Sequence, residues 1–254
     1  MNNIRQEVIR LFSKSTVWIC ILLYLLAIKL LLLSNFNSGQ IWNAYQMVAE
    51  ITSRNNFNKV LVLISAIPMA ASYCNDVTDN YLDLIILRST IRRYTVSKVI
   101  ISFCSSFFIS SLSLTIYSLY FAIKCGVGES TIQSGVFLDF AKSKCPYLAV
   151  LAGIFLFSIV SAVYAVLGLC LSAYVSGRFA AMAAPMVINT FAEVIVKYVP
   201  GAINIFRIQV GNSAYHMGTI GTLIMSAMVC VGYMYAGYLL FHRRVRRRVT
   251  NEII

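Results

Sequence analysis

Residues 147–174 read YLAVLAGIFLFSIVSAVYAVLGLCLSAY, 28 positions without one charged side chain. As a helix rising about 1.5 Å per residue this stretch reaches roughly 42 Å, more than the ~30 Å hydrocarbon core of a bilayer. It can therefore cross a membrane with tilt, or run past its surface. Five further apolar runs lie at residues 16–33, 57–73, 99–123, 179–196 and 222–241. Six such runs in 254 residues leave almost no chain for a water-soluble domain. Residues 1–254 are accordingly expected to form a single transmembrane domain, an all-α integral membrane protein, because a lipid-exposed backbone must satisfy its hydrogen bonds within helices. The composition agrees: 59% hydrophobic and 12% charged residues, with a mean hydropathy of +0.77, lie outside the usual soluble range.

Interruptions in the runs have ordinary membrane explanations. Lys29 sits near one end of the first run, where its stem can snorkel toward the headgroups. Pro68 and Pro185 are expected kinks in the second and fifth, and Tyr233, Tyr235 and Tyr238 suit an interfacial belt at the end of the sixth. Counting Lys and Arg on alternate sides gives thirteen on the side that holds both termini and seven on the other. By the positive-inside rule both ends are expected in the cytoplasm, in a multi-pass protein of the cell membrane.

A net charge of +12 raises nucleic acid as a partner. Most of the surplus flanks helix ends, however, where anionic lipid and the topology rule already account for it. The densest cluster, HRRVRRR at residues 242–248, reads as a cytoplasmic anchor for the sixth helix, with lipid binding as the sharper alternative. Near the other terminus Ile4, Val8 and Leu11 recur at helical spacing among Arg5, Glu7, Arg10 and Lys14, the pattern of a short amphipathic helix lying on the inner surface.

Chemistry at depth needs ionisable groups that this chain lacks. The two histidines, His216 and His242, fall in a loop and at a helix end, so a Ser–His dyad, HExxH zinc chemistry or a pair of membrane-embedded aspartates is not expected. No glycine precedes a lysine, which removes the phosphate-cradling P-loop. The seven cysteines contain no CxxC pair; Cys125 and Cys145 share an expected outer loop and are either bridged or two free thiols. No cofactor or metal site is expected, and catalysis is not.

Two polar features remain in the spans. Glu193, one turn before Lys197, is expected to form an ion pair at the interface, with a substrate or gating contact as the alternative. Ser102, Ser106, Ser110 and Ser113 share one face of the third helix. Small hydroxyls let helices approach, so packing is expected, against a similar stripe of Ser161, Ala165, Gly168 and Ser172 on the fourth; a translocation surface is the alternative.

The most distinctive loop is CNDVTDNYLDLIILRSTIRRYTVSK, residues 74–98. Asp76, Asp79, Asn80 and Asp83 recur on one face beyond the second span while Tyr81, Leu84 and Ile85 take another, as an amphipathic helix requires. Acids early and Arg88 late complement its dipole. Ser89 or Thr90 can cap a second turn carrying Arg92 and Arg93. An ordered cytoplasmic elbow between helices 2 and 3 is the expectation, and the apolar cluster at residues 84–87 must bury itself against something.

At this elbow the chain resembles the permease subunit of type-2 ABC transporters, mostly bacterial exporters. The resemblance rests on Asp76 after the second helix, the largely apolar stretch 82–87, Arg88-Ser89, Arg92-Arg93-Tyr94 and Ser97-Lys98. The family usually has Glu where Asp76 stands, Gly where Asn80 stands and Pro near Ser89. Six spans preceded by a surface helix fit the same family. The resemblance implies export of a lipid, peptide or drug-like substrate, driven by a separate cytoplasmic ATP-binding subunit and shared with a second permease copy or paralogue. It also implies that the elbow is the coupling element, with Asp76, Asp79, Asp83, Leu84, Ile85, Arg88, Arg92 and Arg93 at the contact. A standalone channel or carrier and a small membrane assembly protein are the alternatives.

Overall fold

The computed structural model describes residues 15–36, 43–53, 55–79, 90–127, 146–175, 177–210 and 219–252. The expected surface helix at residues 2–14, the elbow residues Asn80, Asp83, Leu84, Ile85 and Arg88, and Cys145 lie outside them. Among the described residues every regular element is helical: α1 Ser15–Phe36, α2 Ala44–Ser53, α3 Asn55–Ala70, α4 Ser72–Thr78, α5 Ile91–Cys125, α6 Pro146–Ser172, α7 Arg178–Val194 with a 3-10 turn at Ile195–Lys197, α8 Ile205–Val210 and α9 Thr219–Glu252. Five stretches, on α1, α3 with α4, α5, α6 and α9, are long and apolar enough to cross a membrane. The chain is thus built as a multi-pass membrane protein.

The fifth expected span is a short helix that falls outside the five candidate crossings. α7 has 17 residues, about 25 Å, before its last turn tightens into the 3-10 form. The second expected span is divided. Pro68, the expected kink, lies inside α3, and the helix is interrupted three residues later at Ala71, between α3 and α4. Two others are longer than their apolar runs. α5 begins at Ile91 rather than near residue 99, because the Thr90 side chain accepts from the Arg93 N–H and caps it there. α9 runs to Glu252, straight through the arginine cluster.

α6 is the centre of the bundle: 78% of its most apolar stretch is buried, against 17% for α9 at the edge. It packs on α5, α7, α9 and α3. Lipid tails are as apolar as leucine, so close packing rather than water exclusion holds these helices together. Gly168 shows how close they come: a Cβ there would lie 2.5 Å from Pro185 Cγ on α7. The small-residue stripe of α6, expected to face the serines of α5, therefore meets α7 at this level. Around it Tyr24, Leu61, Ile109, Leu114, Phe157 and Tyr164 form a fully buried core, while α1 turns Trp18, Leu22, Leu26 and Leu30 outward.

Two short helices fill the end of the bundle opposite the elbow, where the sequence reads as loops. α2 is opened by a reciprocal cap: Gln46 N–H donates to Asn43 Oδ1 at 2.8 Å and Asn43 N–H to Gln46 Oε1 at 3.2 Å. Its Met47, Val48 and Ile51 are buried in the core. α8 is opened by Asn204, whose Oδ1 accepts from Phe206 and Arg207 N–H. Cys125, at the end of α5, is exposed and has no disulfide partner among the described residues, which do not include Cys145.

Candidate functional site

At the elbow end, α4 carries Asp76 inward instead of leaving it beyond the helix. Its carboxylate meets Lys98 Nζ at 2.7 Å and accepts from the Tyr94 hydroxyl at 2.8 Å. Tyr94 and Lys98 stand four residues apart on α5, which places both on one face, and the ammonium lies 5.7 Å from the Tyr94 ring centre. Both charged side chains are nearly closed to solvent, at 5% exposure for Lys98 and 7% for Asp76. A pair removed from water to this degree is held together because neither charge can be left alone there. The two helices on either side of residues 80–89, α4 and α5, are thus locked to each other.

Further contacts tie this base to the other helices. The Cys74 thiol donates to the carbonyls of Ser172 and Val175 at the end of α6. Arg178, first residue of α7, donates to Thr78 Oγ1 at 2.7 Å and reaches Asp79 Oδ1 at 3.4 Å; this pair is exposed and contributes little by itself. Thr95 Oγ1 lies 3.0 Å from His242 Nδ1 on α9. Arg244 donates from Nε to the Ala173 carbonyl at 3.3 Å and covers the Tyr174 ring. Beneath these contacts Tyr73, Tyr94, Val99, Leu169, Phe241 and Val245 form a second apolar cluster, with Tyr73 and Phe241 edge to face at 5.4 Å. Displacing α4 therefore loads α5, α6, α7 and α9 together.

The remaining predicted residues separate into surface and interior. Asp79, Arg92 and Arg93 are exposed at the elbow end. Ser102, Ser106, Ser110 and Ser113 are fully buried within this one chain. Ser106 donates to Ser65 Oγ on α3 at 3.0 Å, Ser110 bonds back to the Ser106 carbonyl, and the hydroxyls of Ser102 and Ser113 find no partner among the described residues. At the opposite end Glu193 of α7 meets Lys59 of α3, an ion pair the sequence reading did not foresee. Asn189 and Gln209, joined at 3.0 Å, bury a further amide pair between α7 and α8.

The two ends together fix the course of α7. Its first residue is held at Thr78 and Asp79, its last turn at Lys59, so it runs antiparallel along the whole of the α3–α4 unit. No group of His, Cys, Asp and Glu gathers as a metal site among the described residues. No protein-family model matches the chain, and no significant match is found among curated proteins or solved structures.

Proposed function

We propose that this chain is the membrane-spanning permease subunit of a transporter resembling the type-2 ABC exporters, driven by a separate cytoplasmic ATP-hydrolysing subunit that docks on the elbow. The observation that carries the reading is the buried Asp76–Tyr94–Lys98 lock at the elbow's base. A coupling element must be stiff where it enters the bundle, since motion is passed on only by an element with discrete arrangements. Here the lock and its ties to α6, α7 and α9 supply that stiffness, while exposed Asp79, Arg92 and Arg93 are available for contact. Asp76 itself, being internal, acts on docking only through the lock.

Six crossings with both termini in the cytoplasm belong to the same reading. Supporting them, α7 spans the same depth as α3 and α4, which include a stretch long enough to cross. Counting it restores an even number of crossings and puts the arginines of α9 on the elbow side, in line with the positive-inside rule. The cargo is a lipid, peptide or drug-like molecule carried by two permease copies or paralogues.

The test is co-purification with the ATPase that the same cell supplies. Reversing Asp79 and Asp83 to Lys together with Arg92 and Arg93 to Glu keeps the loop charge constant. It is expected to preserve membrane insertion and to weaken partner binding by roughly thirtyfold to several thousandfold, the equivalent of about 2–5 kcal/mol. The purified chain alone is expected to hydrolyse no ATP. Wild-type co-purification and transport in the reversed variant, or ATP turnover by the isolated chain, would overturn the proposal and return the elbow to a connector in a channel, carrier or assembly protein.

A further inference from the structure

α9 is longer than a membrane crossing needs. Its 34 residues reach about 51 Å, some 20 Å more than a hydrocarbon core. The outward-facing apolar side chains of this helix, Ile220, Ile224, Met228, Val231, Tyr235 and Leu240, end where the arginines begin. Arg243 to Arg248 then cover about 7.5 Å of axis, matching the ~5–8 Å depth of one headgroup layer.

Packing fixes which way those arginines point. Phe241, Val245 and Val249 recur every four residues and are buried in the apolar cluster of the elbow end, so the extension cannot rotate. At about 100° per residue, Arg243, Arg244, Arg246 and Arg247 occupy a ~160° arc on the other side of the helix, and all four are exposed. Arg92 and Arg93 add exposed positive charge at the same end. Two acids at this end face cations outside α9: Asp76 meets Lys98 and Asp79 meets Arg178. A solvated run of charge would not need a rigid helix with one face clamped to the protein. Guanidinium groups carried on one fixed helix face, just past the last outward apolar residue, suit phosphate oxygens, which they engage with two parallel hydrogen bonds.

We infer that the arginine face of α9, formed by Arg243, Arg244, Arg246 and Arg247, binds the headgroups of anionic phospholipids in the leaflet at the elbow end. The occupant is lipid rather than a protein because the face starts at the last outward apolar residue of a membrane helix and lies at headgroup depth. This inference requires only that α9 crosses the membrane, and it stands or falls independently of the transporter reading.

The test uses the full-length chain in nanodiscs of phosphatidylcholine alone or with 30% phosphatidylglycerol, reading melting temperature and co-retained lipid by native mass spectrometry. The wild type is expected to retain phosphatidylglycerol preferentially, less so in high salt, and to melt higher in its presence. Arg243→Gln with Arg247→Gln should lower that preference about fivefold per arginine, whereas Lys124→Gln at the opposite end should leave it unchanged. If the double variant fails to fold, the wild-type comparison decides alone: absence of any lipid preference or salt effect overturns the inference. So does full displacement of the lipid by millimolar inorganic phosphate, which would mark a free-anion site. Unchanged lipid preference in a folded double variant that has lost a protein partner overturns it in favour of protein docking.

Discussion

Breaking the Asp76–Lys98 pair from one side is expected to be among the most damaging single changes in this chain. At 2.7 Å the two charges attract by about 6 kcal/mol at an effective dielectric near 20. Desolvation of several kcal/mol per ion opposes this, so the intact pair contributes little net stability. The asymmetry appears on truncation. Lys98→Met leaves the Asp76 carboxylate buried with the Tyr94 hydroxyl, and Asp76→Leu leaves the ammonium buried; each should cost about 3–5 kcal/mol. At roughly 2–4 °C per kcal/mol for a chain of this size, melting should fall by about 6–20 °C. The double variant Asp76→Leu/Lys98→Met removes both charges and should recover most of the loss, giving a coupling energy of several kcal/mol. Thermal aggregation of the detergent-purified protein, followed by size-exclusion chromatography, measures all four members of the cycle. Single variants within 1 °C of wild type, or a double variant as poor as the sum of the two, would refute the reasoning.

Gly168→Ala should destabilise by about 1–3 kcal/mol, since its Cβ would collide with the Pro185 ring, while Gly232→Ala, whose Cβ meets nothing within 4 Å, should be neutral or slightly stabilising by melting temperature. Asn43→Ala removes the acceptor that opens α2 and should cost about 1 kcal/mol, seen as faster hydrogen exchange at the first turn of that helix. Cysteines introduced at Asn80 and Asn251 should resist labelling by membrane-impermeant reagents in intact cells; modification of either from outside would invert the orientation or change the number of crossings.

The existence of the long helices was legible because bilayer and backbone leave the sequence little freedom: about twenty uncharged residues must be consecutive, whatever they later touch. Thr90 was legible as a cap for the same local reason, its hydroxyl acting within three residues. α2 and α8 were missed although Asn43-x-x-Gln46 and Asn204 announce them, because their short apolar faces fall below any membrane-length signal and gain meaning only from the core they cover. The amphipathic elbow expected between the second and third spans lies mostly at residues 80–89, outside the described residues; the lock beside it was not legible. Asp76 carries no mark in the sequence that distinguishes a solvated acid from a buried one, and Lys98 reads as one more inner-side cation. Packing brings the two helices flanking the elbow together, and the interior then rejects a lone charge. The same holds for Lys59 with Glu193, and for Gly168 with Pro185. Periodicity tells which face a helix hides, but only the assembled bundle decides which neighbour that face meets, because close packing is a property of two surfaces and not of one.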